Sequence, residues 1–94
     1  MHAMIRGKRW PILHRRLKHE DGWCDKPDVK DKAITIDPRC RSNDARYLEV
    51  VLHEALHAAV WDLDEEVVAE YARDVARLLH RLGFRCTEGE DGKV

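Results

Sequence analysis

This chain has little of what marks several common classes of protein. Its cysteines are only Cys24, Cys40 and Cys86, an odd number at wide, unrelated spacings with no C-x-x-C pair. That argues against a zinc ribbon and for free thiols in a reducing cytosol. No apolar run reaches signal-peptide or membrane-spanning length, so a cytoplasmic protein with no membrane partner is expected. Lys+Arg 17 against Asp+Glu 18 leave a formal net charge of -1, and no global pull toward nucleic acid follows from that balance. There is no internal repeat, low-complexity stretch or linker, and the 94 residues are expected to form one domain. The charge is unevenly placed: Arg6, Lys8, Arg9, Arg15, Arg16 and Lys18 load the start, and Glu88, Glu90 and Asp91 load the tail. The basic start could meet an anionic partner, but a solvated strand edge that resists aggregation also accounts for it.

What is present reads as a short α+β pattern. Residues 9–17 mix large apolar and basic side chains and suggest a first strand, with Pro11 near its start or on an edge. Residues 19–32 are polar, hold Gly22 and Pro27, and read as a loop. Ala33-Ile34-Thr35-Ile36-Asp37 alternates, is β-branched and stops at Pro38, as a strand does. After a polar turn at 39–43, Ser42, Asn43 or Asp44 can cap a helix running from about 45 to 62. Leu48, Leu52, Ala55, Leu56, Ala59 and Leu63 form its apolar stripe. Asp64 is placed to cap a second helix, with Val68, Tyr71, Ala72, Val75, Leu79 and Leu82 as its buried stripe and Gly83 at its end. The tail from residue 83 is expected to fray. The expected product is a small antiparallel or mixed sheet packed on two helices.

The first of those helices carries His53-Glu54-Ala55-Leu56-His57. Histidines four apart on a helix share one face, one turn above the other, and can grip one zinc ion. The glutamate between them can take the proton of a water activated by that ion. His53 and His57 adjoin the apolar stripe and so should border the core. A catalytic zinc wants a third protein ligand and an open position. A metzincin would place glycine and histidine where Val60 and Leu63 stand, so that class is excluded. The third ligand must then be a carboxylate of the next helix: Glu65, Glu66, Glu70 or Asp74. Glu66 is expected to ligate, with Glu70 accepting the second ring N–H of a ligating histidine; Glu70 as ligand backed by Asp74 is the alternative. Glu66, Glu70, Arg73 and Arg77 also repeat at the spacing of any solvated helix face. A Cys24 thiolate could serve as a latency ligand, but a structural thiol explains it more simply. Because so short a chain buries only roughly 60–65% of its unfolded surface, ligation energy would also help it fold.

The pentapeptide, followed by Trp61-Asp62-Leu63-Asp64-Glu65-Glu66-Val67 and preceded by Ile34-Thr35-Ile36-Asp37, resembles the small gluzincin-like metallopeptidase domains over roughly residues 22–82. These include the ImmA/IrrE-like proteins of bacteria and phages and the stand-alone minimal gluzincins. The resemblance implies a minimal zincin-like fold, zinc held by His53, His57 and an acidic residue matching Glu66, and Glu54 as general base. It also implies that the strand at 34–37 takes up an extended peptide by adding it to the sheet edge. Tyr47, Tyr71, His14 and His80 are the candidates to stabilise an oxyanion. His2 and His19, with His14 and His80, otherwise read as ordinary surface or partly buried residues.

The expectation is therefore a zinc-dependent peptidase acting on a peptide or protein, with a shallow cleft because the chain has no second lobe. Two competitors remain. Zinc could merely staple a domain that binds a protein or nucleic acid, or it could serve metal-dependent cleavage of nucleic acid, although the third histidine of such sites is missing here.

Overall fold

The computed structural model describes residues 1–86; Glu88, Glu90 and Asp91 lie outside the described residues. The first strand of the chain is one the sequence pattern did not reveal. β1 (His2–Ile5) and β2 (Lys8–His14) pair antiparallel, Ile5 opposite Lys8. They join through Arg6-Gly7, both at positive φ, 51° and 78°. Two left-handed residues are what a tight hairpin with the right twist requires, and Gly7 supplies one of them at no steric cost. The strand expected over 9–17 is thus the second of the sheet and ends at His14.

β3 (Gly22–Cys24) lies inside the stretch expected to be loop, and β4 (Ile34–Ile36) forms where a strand was expected. The four strands make one mixed sheet in the order β1-β2-β4-β3. β4 runs parallel to β2 and antiparallel to β3. It is therefore paired on both sides, and the expectation that 34–37 offers a free edge is corrected: the edge next to it is β3. The pleat sends Ile34 and Ile36 into the core, where they meet Trp10, Cys24, Cys40, Val50 and Ala58.

Asp37 turns the chain out of β4. It is buried, accepts from the Leu17 and Arg39 backbone N–H groups and receives two bonds from the Arg39 guanidinium. The guanidinium bonds first, then the Leu17 N–H, hold its carboxyl well below the usual carboxylate range. Asp37 also caps a short 3-10 helix, Pro38–Ser42, after which Asn43 caps α1 (Asp44–Ala59) through the Arg46 N–H. At the other end of α1, the Arg6 guanidinium donates to the Ala59 carbonyl at 2.9 Å, a cation placed on a helix C-terminus.

α1 lies between the sheet and α2 (Glu65–Arg81), which is held chiefly by α1. Its fully buried residues are Val50, Glu54 and Ala58, on the sheet side, while the expected stripe of Leu48, Leu52, Ala55 and Leu56 is half-buried. A helix covered on two sides splits its apolar residues between them. Asp64 caps α2 as expected, by accepting from the Glu66 N–H. The buried line of α2 is Val68, Ala72 and Ala76; Tyr71 and Leu82, expected inside, are exposed. Small residues at 72 and 76 let the helices approach closely, and the larger side chains are left outside. At the start of the tail expected to fray, the Phe84 N–H donates to the Leu79 carbonyl and the Cys86 N–H to Asp44; its remainder, 87–94, lies outside the described residues. No helix among the described residues is long and apolar enough to cross a membrane.

Candidate metal centre

His53 and His57 stand one turn apart near the C-terminal end of α1, their ring centroids 4.9 Å apart in edge-on contact. The loop at 60–64 reverses the chain, and the first residue of α2 is Glu65. Its carboxylate bridges the two imidazoles: His53 Nε2 donates to Oε1 at 3.0 Å and His57 Nε2 lies 2.8 Å from Oε2. The ring of His57 in turn leans on Trp61, centroids 6.1 Å apart. Among the described residues, His53, His57 and Glu65 form the group whose ligand atoms all fall within 4.8 Å of one another.

The carboxylate brought to the histidines is thus Glu65, not Glu66. Successive residues of a helix are rotated by about 100°. Once Asp64 fixes the start of α2, Glu65 falls on the line of Val68, Ala72 and Ala76 that faces α1. Glu66 falls a quarter-turn away, exposed with Glu70, Arg73 and Arg77. Those four residues are the solvated face that their spacing equally allowed. Glu70 does not reach the imidazoles, and Asp74 lies 3.7 Å from Arg73.

The donor set suits zinc. The two imidazoles contact different oxygens of Glu65, at 3.0 and 2.8 Å, and one ligand atom from each of the three residues falls within 4.8 Å of the others, so the group could hold a metal ion. Two imidazoles and one carboxylate are also the ligand types of hydrolytic zinc centres that keep a position open.

Glu54 occupies the floor beside this group. It is buried, and among the described residues it makes no hydrogen bond or ion pair. Burial first, and the repulsion of Glu65 second, push its carboxyl up to about 7. Gly22 of β3 makes this position possible. A Cβ on Gly22 would come 2.7 Å from Val50 Cγ1, 2.8 Å from Glu54 Oε2 and 2.9 Å from Glu54 Cγ.

A cleft of about 710 Å³ opens over the group, walled by α1 on one side and by residues 19–24 on the other. His19, Trp23 and Trp61 line it, and Arg46 closes one end, donating through Nε to Asp21 at 3.0 Å and lying 3.2 Å from Glu49. The residues expected to stabilise an oxyanion are elsewhere. His14 and Tyr47 pair with each other at 2.7 Å, Tyr71 is on the outer face of α2, and His80 stands near its far end. Cys24 lines the cleft but is buried and donates to the Asp25 carbonyl; burial first, then Glu54 and Asp25, push its thiol up to about 12. Its Sγ is not among the ligand atoms that converge at His53, His57 and Glu65. The wall formed by β3 and the loop before it escaped sequence reasoning, because three residues around a glycine carry no alternation signal.

Comparison with protein-family models, curated proteins and solved structures finds no match for this chain.

Proposed function

We propose that this chain is a zinc-dependent metallopeptidase of minimal, gluzincin-like type, with His53, His57 and Glu65 as ligands and Glu54 as general base. The observation that carries this reading is the convergence of three protein donors, one carboxylate and two imidazoles, beside the buried Glu54. A metal bound there would polarise the scissile carbonyl and acidify an attacking water. Glu54 would take the proton of that water and pass it to the leaving nitrogen, a role that suits a carboxyl whose affinity for protons is raised toward neutrality. The free edge of β3 flanks the cleft and suits an extended peptide added as a further strand. That edge replaces the internal strand β4 in the role the family resemblance implied.

The test separates chemistry from stapling. Glu54→Gln should bind zinc one to one with little change in affinity, measured by calorimetric titration. It should lose hydrolysis of unfolded protein and peptide substrates by on the order of a thousandfold or more. If Glu54→Gln hydrolyses as well as the parent, or if neither chain hydrolyses any peptide when loaded with zinc, the metal is a staple and the enzymatic reading fails.

A further inference from the structure

We propose that α2 joins two copies of this chain into an antiparallel, two-fold symmetric dimer. Val67, Tyr71, Leu78 and Leu82 are 45%, 54%, 55% and 65% exposed. At about 100° per residue they fall within an arc of about 60° on α2, beside the line of Val68, Ala72 and Ala76 that packs on α1. They form two apolar pairs on one side of the helix, Val67 with Tyr71 and Leu78 with the C-cap Leu82, spanning about 22 Å, with the exposed Asp74 between them, 3.7 Å from Arg73. Isolated exposed apolar residues need no explanation, but four of them aligned on one side of a helix mark an interaction surface.

The occupant is identified by the charges that flank the stripe. Glu66 and Glu70 lie in the first half of α2, Arg77 and Arg81 in the second, all exposed. This order is complementary to its own reverse. In an antiparallel pair, Val67 meets Leu82 and Tyr71 meets Leu78. Glu66 and Glu70 then lie against Arg81 and Arg77 of the other copy. A parallel pair would set acid on acid and base on base, and the two helix dipoles would add to that repulsion. The isologous contact repeats each favourable pair twice. Four half-exposed side chains offer about 400 Å² per protomer, about 800 Å² in all, the size of a weak, transient contact. A weak, reversible dimer is therefore the expected form. Glu65 points toward α1, away from this stripe, so the dimer stands apart from the metal chemistry.

Sedimentation equilibrium of the whole chain over a wide concentration range, with and without zinc, tests the proposal. A monomer–dimer equilibrium is expected in both. Tyr71→Glu/Leu78→Glu should raise the dissociation constant on the order of a hundredfold while leaving the circular dichroism and melting temperature of the monomer unchanged. Glu70→Arg alone should raise it about tenfold, and adding Arg77→Glu to the same chain should restore the parent value. A chain that stays monomeric throughout, or a dimer indifferent to Tyr71→Glu/Leu78→Glu, overturns the proposal. So does a monomer melting much lower in that variant, because the stripe would then be covered by the chain's own residues. Failure of the double charge reversal to restore association overturns the antiparallel pairing.

Discussion

Glu54 of α1 sits directly over Gly22 of β3, so closely that a single methyl group on Gly22 would meet both Oε2 and Cγ of the glutamate within 3 Å. The backbone at Gly22 has no left-handed conformation to protect; the requirement is for space alone. Gly22→Ala should therefore destabilise the fold by about 1–3 kcal/mol, as overpacking does. It should also turn the Glu54 carboxylate away from the cleft. Chemical denaturation and zinc titration should show a less stable chain that still binds zinc, with kcat lowered more than zinc affinity. Unaltered stability would mean that α1 and β3 are free to separate at this point.

The two neighbouring glutamates at the start of α2 should behave differently. Glu65→Ala removes the carboxylate that bridges His53 and His57, and zinc affinity should fall at least on the order of a hundredfold. Glu66→Ala removes an exposed side chain whose backbone, not its carboxylate, serves the helix cap; zinc affinity should change little. Calorimetric zinc titration of the two variants decides between them. Greater loss in Glu66→Ala would return the ligand role to Glu66.

In the metal-free chain, the Glu54 carboxyl is raised from its ordinary 4.5 to about 7. A carboxyl raised in the folded state favours folding while it is protonated. That contribution is full below about pH 4.5 and is lost as pH rises through about 7. Metal-free protein should thus lose stability on the order of a few kcal/mol across this window from this group. Glu54→Gln, which has no charge to bury, should flatten that part of the slope. Parallel melting curves of the two metal-free chains across pH give the answer, and coincident slopes would show that Glu54 ionises freely.

Asp37 works in the opposite sense. Its bonds with Arg39 and the Leu17 N–H hold its carboxyl low, so it supports folding above the ordinary carboxylate range and that support is lost only in strong acid, as pH falls through its depressed value. Asp37→Asn keeps the size but surrenders the charged partner of Arg39, and should lower the melting temperature at neutral pH. The difference from the parent should shrink in strong acid, which thermal melts at several pH values will show.

Much of this molecule can be read from its amino acids, and the reasons for the exceptions are local. The periodicity of Leu48 to Ala59 and the caps at Asn43 and Asp64 announce both helices, and Ile34-Thr35-Ile36 announces β4. The hairpin at Arg6-Gly7 is quieter, because arginine rarely adopts the conformation that the turn imposes on it. β3 is too short to show a pattern, and its meaning lies in a contact with Glu54, 32 positions away in sequence. The His53–His57 pair follows from spacing, whereas the choice of Glu65 over Glu66 depends on one residue of helix phase. Period alone gives one broad apolar arc that takes in the outward Tyr71 and Leu82, and alanines at 72 and 76 decide which side of it is covered.

His53, His57 and Glu65 occupy a span of only 13 consecutive residues. Closing that span takes one short loop and no long-range pairing, so its entropic cost is small. A metal that captures the three groups would tie the helical hairpin before the sheet has assembled around it, and the refolding rate of this chain should then respond to zinc as strongly as its final stability does.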